Sequence, residues 1–334
     1  MRRTKLAASL LALTLVGIPV ASVATARAAR GQDQNSSQQE PPQAVGTIHT
    51  QTQLVDVYAT VRDKKNAIVD NLTKDDFKIY EDGKLQQVTY FDKESNLPIT
   101  LAMLMDTSGS MYYIMDAEKE AASSFVHQIM RKKDEAVVIS FDEDEDLLAD
   151  FTEDPAVLTR AINRAQVKVN ATGIGGTGGT VNSNGGGTNL FDAVYLACHD
   201  ELATEAGRKA IIVLSDAEDN GSKMSIDEAV EASQRADAVI HVILISDPNA
   251  TEGYGPRIAL ELAGKTGGRV IQVHNDKTMN QAFDEISEEL RSQYVLGYAS
   301  TNDAHDGTFR KVKVEVTQPD MKVRARVGYY APNS

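Results

Sequence analysis

Tryptophan is absent from this 334-residue chain, and cysteine occurs once, as Cys198. A single thiol excludes an intramolecular disulfide and any thiolate zinc cluster. Only six histidines are present, scattered and without an H-E-x-x-H pair, and no G-x-S-x-G elbow occurs. Basic residues are also scarce: 34 Lys+Arg against 48 Asp+Glu leave a net charge of −14. Nucleic acid is therefore a poor partner, because phosphate binding needs a basic face. Long apolar runs are missing beyond the N-terminus, which excludes a multi-span membrane protein. What remains is ordinary globular composition, 42% hydrophobic and 25% charged, in a length that predicts two domains at about 100–200 residues each.

Residues 1–28 read as a secretory signal peptide. Arg2, Arg3 and Lys5 precede an apolar run from Leu6 to Ile18. Pro19 breaks that run, and Ala24-Thr25-Ala26 and Ala26-Arg27-Ala28 are candidate cleavage sites. The alternative is an uncleaved membrane anchor. Cleavage predicts an exported protein, periplasmic, cell-surface or secreted. Residues 29–45 are rich in Gln, Ser and Pro, and read as a flexible linker.

Residues 46–95 look all-β. Leu54–Val61 is rich in β-branched residues, and Phe77–Tyr80 and Val88–Phe91 flank Asp82-Gly83, a hairpin signal. Thr73 is expected to cap a turn at 74–76. Residues 292–331 alternate as β strands too, at 293–299, 309–317 and 323–330, with turns at Gly307 and Pro319-Asp320. The centre, 96–291, differs. Short apolar strands at 99–105, 136–141, 210–214 and 239–245 alternate with amphipathic helices at 112–131, 155–166, 190–205, 225–235, 256–265 and 278–291. That alternation predicts an α/β domain, doubly wound, with a mostly parallel sheet and helices on both faces. Ligand sites in such folds lie at the carboxyl ends of the strands.

Three strand-end features converge on one chemistry. Leu101–Met105 runs into Asp106-Thr107-Ser108-Gly109-Ser110, where alternate positions can aim Ser108 and Ser110 at one point. Gly185-Gly186-Gly187-Thr188 opens a helix with a hydroxyl. Leu214-Ser215-Asp216 ends another strand with an acid. Oxygen ligands without His or thiolate suit Mg²⁺, Mn²⁺ or Ca²⁺ rather than zinc. Hydroxyls cancel little of the cation's charge, so such a site attracts a carboxylate from outside.

Together these motifs resemble the von Willebrand factor A-type (VWA) domain and its metal-ion-dependent adhesion site: D-x-S-x-S, then Thr in a G-G-T-x-L-like context, then a strand-end Asp. Asp106, Ser108, Ser110, Thr188 and Asp216 fill the five positions. The resemblance covers about 96–291. It implies Mg²⁺ coordinated directly by the two serines and the threonine, with the aspartates acting mainly through water, and a protein partner that presents an Asp or Glu carboxylate. Ser215 stands for the usual Thr, and Ala217 where Gly is frequent, which bears on the loop presenting Asp216. The flanks, LTKDDFKIYEDGK and FRKVKVEV…VRARVGYYAP, look like exported bacterial proteins carrying a divergent VWA domain. In that group β segments bracket the α/β unit, so 46–95 and 292–331 are expected to form one small β-sandwich-like module. Two separate β appendages are the alternative.

Other motifs fail in context. Gly173–Gly178 spells G-x-G-x-x-G, but eight of the residues 173–187 are glycine and no helix or acid follows as a dinucleotide site needs. Gly264-Lys265-Thr266 lacks the earlier glycine of a phosphate loop, since Ala259 stands there. The acids of 142–153 match calcium-loop positions, but Leu147 replaces the turn glycine, so the segment reads as a solvated hairpin tip. Cys198 reads as inert core. The resulting expectation is a non-catalytic, metal-dependent binding module. A scaffold with a degenerate or structural site is the alternative, and a metal-assisted hydrolase, with Asp216 or Asp219 as its base, a weaker one.

Overall fold

The computed structural model describes residues 54–94, 97–167, 187–245 and 254–333. The proposed signal peptide, the linker and the glycine-rich segment through Gly186 lie outside them. In chain order the first strands are β1 (Leu54–Arg62), β2 (Phe77–Glu81), β3 (Lys84–Gln86) and β4 (Val88–Glu94). The centre runs β5 (Ile99–Asp106), α1 (Met115–Ile129), β6 (Glu135–Phe141), β7 (Glu145–Thr152), α2 (Pro155–Ile162), α3 (Leu190–Leu196), β8 (Arg208–Ser215), α4 (Ile226–Ala236), β9 (Ala238–Ile245), α5 (Gly255–Thr266), β10 (Val270–Val273) and α6 (Asp276–Leu290). The chain closes with β11 (Gln293–Ala299), β12 (Phe309–Val316), β13 (Lys322–Ala325) and β14 (Gly328–Tyr330).

The central sheet has the order β10-β9-β8-β5-β6-β7, parallel throughout except for β7, which runs antiparallel to β6. Its strands are apolar on both sides, and the period of two sorts them. Leu101, Met103 and Met105 of β5 pack with α1, α2 and α6. Ala102 and Leu104 face the opposite way, toward α3, α4 and α5. Two cores on two sheet faces are the signature of double winding. The chain leaves β5 for β6 on one side and returns to β8 on the other, so the strand order reverses at the end of β5.

Strands from both flanks interleave in two antiparallel sheets, β13-β1-β11-β4 and β14-β12-β2-β3. Val57, Ile79, Tyr294, Leu296, Tyr298 and Val312, drawn from both sheets, share one core. Asp82 and Gly83 both take positive φ (48° and 80°), as a tight hairpin between β2 and β3 requires. The sandwich meets the α/β domain through buried charge: Arg62 of β1 pairs with Glu289 of α6 at 3.1 Å. Arg269 lies 3.6 Å from the same carboxylate.

Several expected elements take different forms. The helix expected from Tyr112 begins instead with a 3₁₀ segment, Gly109–Tyr113, before α1. The helix expected over 190–205 relaxes into a π segment, Ala197–Leu202. Of the acidic stretch read as a hairpin tip, Glu145–Thr152 forms the edge strand β7, paired Phe141↔Glu145 and Ile139↔Leu147, which leaves 142–144 as the tip. The strand expected over 323–330 divides between the two sandwich sheets as β13 and β14. Strand β10 was not expected, because four residues at a sheet edge carry too little periodicity. Cys198 is buried, and burial pushes its thiol up to about 12, as an inert core cysteine requires.

Candidate metal site

Asp106 closes β5 and is fully enclosed. Burial pushes its carboxyl up to about 7, and the charge of Asp216 adds to the rise, while hydrogen bonds from Ser108 and Ser215 oppose it. Its Oδ1 accepts the Ser108 backbone N–H at 2.8 Å, and its Oδ2 accepts the Ser215 hydroxyl at 2.5 Å. Ser215 Oγ in turn accepts the Ala217 N–H at 2.8 Å, so one hydroxyl ties the end of β5 to the turn beyond β8. Both oxygens of Asp106 are thus engaged inside the protein. Ser108 stands in extended backbone (φ −64°, ψ 164°) before the 3₁₀ segment, and that geometry sets its Oγ 3.0 Å from Ser110 Oγ. Ser108 is buried, whereas Ser110 is exposed.

Thr188 and Asp216 join from the neighbouring loops. The Thr188 N–H donates to Asn220 Oδ1 at 2.8 Å, and the Asn220 N–H donates back to the Thr188 carbonyl at 3.2 Å. Asn220 follows Asp216 by four residues, so this exchange clamps the threonine to the Asp216 loop. The Asn189 N–H donates to the Asp142 carbonyl beyond β6 at 2.9 Å, which fixes the other side. Asp216 is half-buried, and its Oδ1 accepts the Glu218 N–H at 3.0 Å. Among the described residues the Thr188 hydroxyl and Asp216 Oδ2 take no hydrogen-bond partner. Gly255 packs so closely beneath this loop that a Cβ there would lie 2.1 Å from the Asp216 carbonyl oxygen.

The five residues singled out from the sequence thus lie at and just beyond the carboxyl ends of β5 and β8 and just before α3, in segments cross-linked by hydrogen bonds. Among the described residues no three of His, Cys, Asp and Glu come together to hold a metal by themselves. A cation here would have to draw on hydroxyl oxygens, and the paired serine hydroxyls with the uncommitted Thr188 hydroxyl are of that kind. The donor set fits a hard divalent ion.

Sequence reasoning missed four residues that shape this site. Ser215 entered only as a substitution, yet it bridges Asp106 to the next loop. Asn220 and Gly255 act through contacts between segments distant in sequence, which no local pattern displays. Glu118 of α1 is fully enclosed, and neither carboxylate oxygen has a hydrogen-bond partner. Burial raises its carboxyl well above the ordinary range, and the nearby charge of Asp106 adds to the rise. A signal for it existed: Glu118 shares a helical face with Met115, Ala122 and Phe125, where an acid is out of place.

The fold and this site define a doubly wound α/β domain whose carboxyl-end loops carry hydroxyls and carboxylates at the switch point. Residues 101–218 match the family model of the von Willebrand factor type A domain, and the centre of the chain is a domain of that family. No curated protein matches the chain. Among solved structures, the conserved hypothetical protein BatB from Bacteroides thetaiotaomicron is 18% identical, covering 58% of this chain and 100% of its own, with a TM-score of 0.44. The vWF domain of the type V pili tip protein Mfa5 from Porphyromonas gingivalis is 13% identical, with coverages of 58% and 95% and a TM-score of 0.44. A von Willebrand factor type A protein from Catenulispora acidiphila is 12% identical, with coverages of 84% and 75% and a TM-score of 0.47.

Proposed function

We propose that this chain is an exported, metal-dependent protein-binding module. Ser108, Ser110 and Thr188 would hold a divalent cation, Mg²⁺ foremost, through their hydroxyls, with Asp106 and Asp216 acting through water. When bound, the cation supplies a Lewis-acidic centre for a carboxylate presented by a protein partner. The chain's own part is positional. Ser215 and the Ser108 N–H hold Asp106 in one orientation. Asn220 holds Thr188 against the Asp216 loop. The observation that carries the reading is the pair of serine hydroxyls 3.0 Å apart directly beyond an enclosed Asp106. Export rests on the N-terminal signal pattern, and N-terminal sequencing of the released protein should find a start after Ala26 or Ala28.

Calorimetric titration of Mg²⁺ and Mn²⁺ into the full chain tests the proposal, beside Asp106→Ala. We expect one site in the wild type and none in the variant. Capture of a protein partner should likewise vanish with EDTA. Partner binding that survives both EDTA and Asp106→Ala would instead identify a scaffold. Turnover of a hydrolase substrate panel, lost in Asp106→Ala, would identify an enzyme.

A further inference from the structure

We infer that Glu118 belongs to the strand-end site as a buried counter-charge, one that strengthens cation binding without coordinating the cation. The inference rests on the metal reading above. Glu118 lies in the first turn of α1, on the core face between Met115 and Ala121–Ala122. Both its oxygens are enclosed, and neither has a hydrogen-bond partner. Buried polar atoms in folded proteins are nearly always paired, and an orphan points to an ion or water that completes it. The helix dipole does not account for it. An acid in a first turn is favoured there, but Asp116 meets that preference from an exposed position, where its charge costs nothing to desolvate.

Glu118 lies in the helical turn that directly follows the 3₁₀ segment Gly109–Tyr113, beside Met115, which shares a core with Met105 and Met111, and the charge of Asp106 acts on it. Glu118, buried without a donor, therefore holds its proton in the cation-free protein, and among the described residues no arginine or lysine pairs with it. A divalent cation at the hydroxyl cluster would favour loss of that proton and be balanced by the charge left behind. Charge acts over distance where solvent is excluded, so Glu118 need not touch the cation to stabilise it.

The test is Glu118→Gln in the full chain, with two readouts. Calorimetry should show Mg²⁺ and Mn²⁺ affinity about tenfold weaker than wild type, as loss of one nearby charge predicts. The cation-free variant should melt at or above the wild-type temperature, because an unpaired acid has been removed. Glu118→Met, which keeps the length and packs with Met111 and Met115, should repeat both effects. A glutamate that serves only structure gives the reverse: lower cation-free stability and unchanged affinity in both variants. That result overturns the role given to Glu118 and leaves the metal site standing. A wild type that binds neither cation overturns the metal reading, and this inference with it.

Discussion

Glu81 and Glu118 are both sealed from solvent, at 2% and 0% exposure, and they are served in opposite ways. Glu81 sits in the sandwich. Its Oε2 accepts the hydroxyls of Tyr298 at 2.7 Å and Tyr329 at 2.9 Å, and its Oε1 accepts that of Ser300 at 2.6 Å. Burial, followed by donation to this carboxylate, pushes the Tyr329 hydroxyl up to about 12 and Tyr298 higher still. Among the described residues Glu118 has no donor. The first region has solved its buried charge with its own side chains. The second has collected hydroxyls and acids at the ends of its central strands and left Glu118 without a donor. Burial alone therefore does not distinguish a structural acid from a functional one; the satisfaction of its oxygens does.

The largest expected effect falls on the satisfied side. Glu81→Ala strands two tyrosine hydroxyls and a serine hydroxyl in an apolar core. It should cost about 3–5 kcal/mol in urea denaturation, the range for removing one partner of a buried charged network. Set against the neutral or stabilising Glu118→Gln, that difference in sign is the comparison in measurable form. A cost for Glu81→Ala of less than about 1 kcal/mol would break it, since surface-like substitutions already reach half that.

The next effect depends on pH. Asp106 has a folded-state value of about 7, above the ordinary carboxylate value of 3.8. The native state keeps a proton that the unfolded chain has released, so this stabilisation is complete below about pH 4 and lost as pH rises toward 7. The loss should amount to about 2–4 kcal/mol without divalent ions, by the linkage of one such group. Saturating Mg²⁺ should flatten the slope, because a cation favours the ionised form. Urea midpoints from pH 4.5 to 8, with and without Mg²⁺ and beside Asp106→Asn, check this. An identical slope in Asp106→Asn would assign the dependence to other groups.

The same contrast explains what could be read in advance. The strands of the central sheet were legible because burial on two faces makes them continuously apolar, as in Leu101–Met105 and Ile211–Leu214. The strand-end loops were legible because Asp106, Ser108 and Ser110 are close in sequence, and because Thr188 and Asp216 follow them in a recognisable order. The π segment at Ala197–Leu202 was not, since its side chains keep the apolar spacing of an α-helix while the backbone bonds shift by one residue. The Asn220 clamp and the close approach of Gly255 were invisible because they join segments 32 and about 40 residues apart. Edge strand β7 was masked by its own acids, which are the means by which an exposed edge resists further pairing.

The smallest effect concerns Ala217, which stands where glycine is frequent in the family. Its φ is +56°, a region an L-residue enters at a cost of roughly 1–2 kcal/mol. Glycine would remove that strain. It would also remove a fully buried methyl from the core beside α3 and α5, worth about 0.8 kcal/mol, and enlarge the unfolded ensemble by about 0.4–1 kcal/mol. The terms nearly cancel, so Ala217→Gly should shift stability by less than about 1 kcal/mol. Its N–H would still donate to Ser215 Oγ, and Ser215 would still hold Asp106. Mg²⁺ affinity should then stay within about fivefold of wild type, the change that such a shift in stability could bring if it were all felt at the site. A gain of tenfold or more would show that the strained alanine restrains the loop, and would move part of the site's tuning from buried charge to backbone.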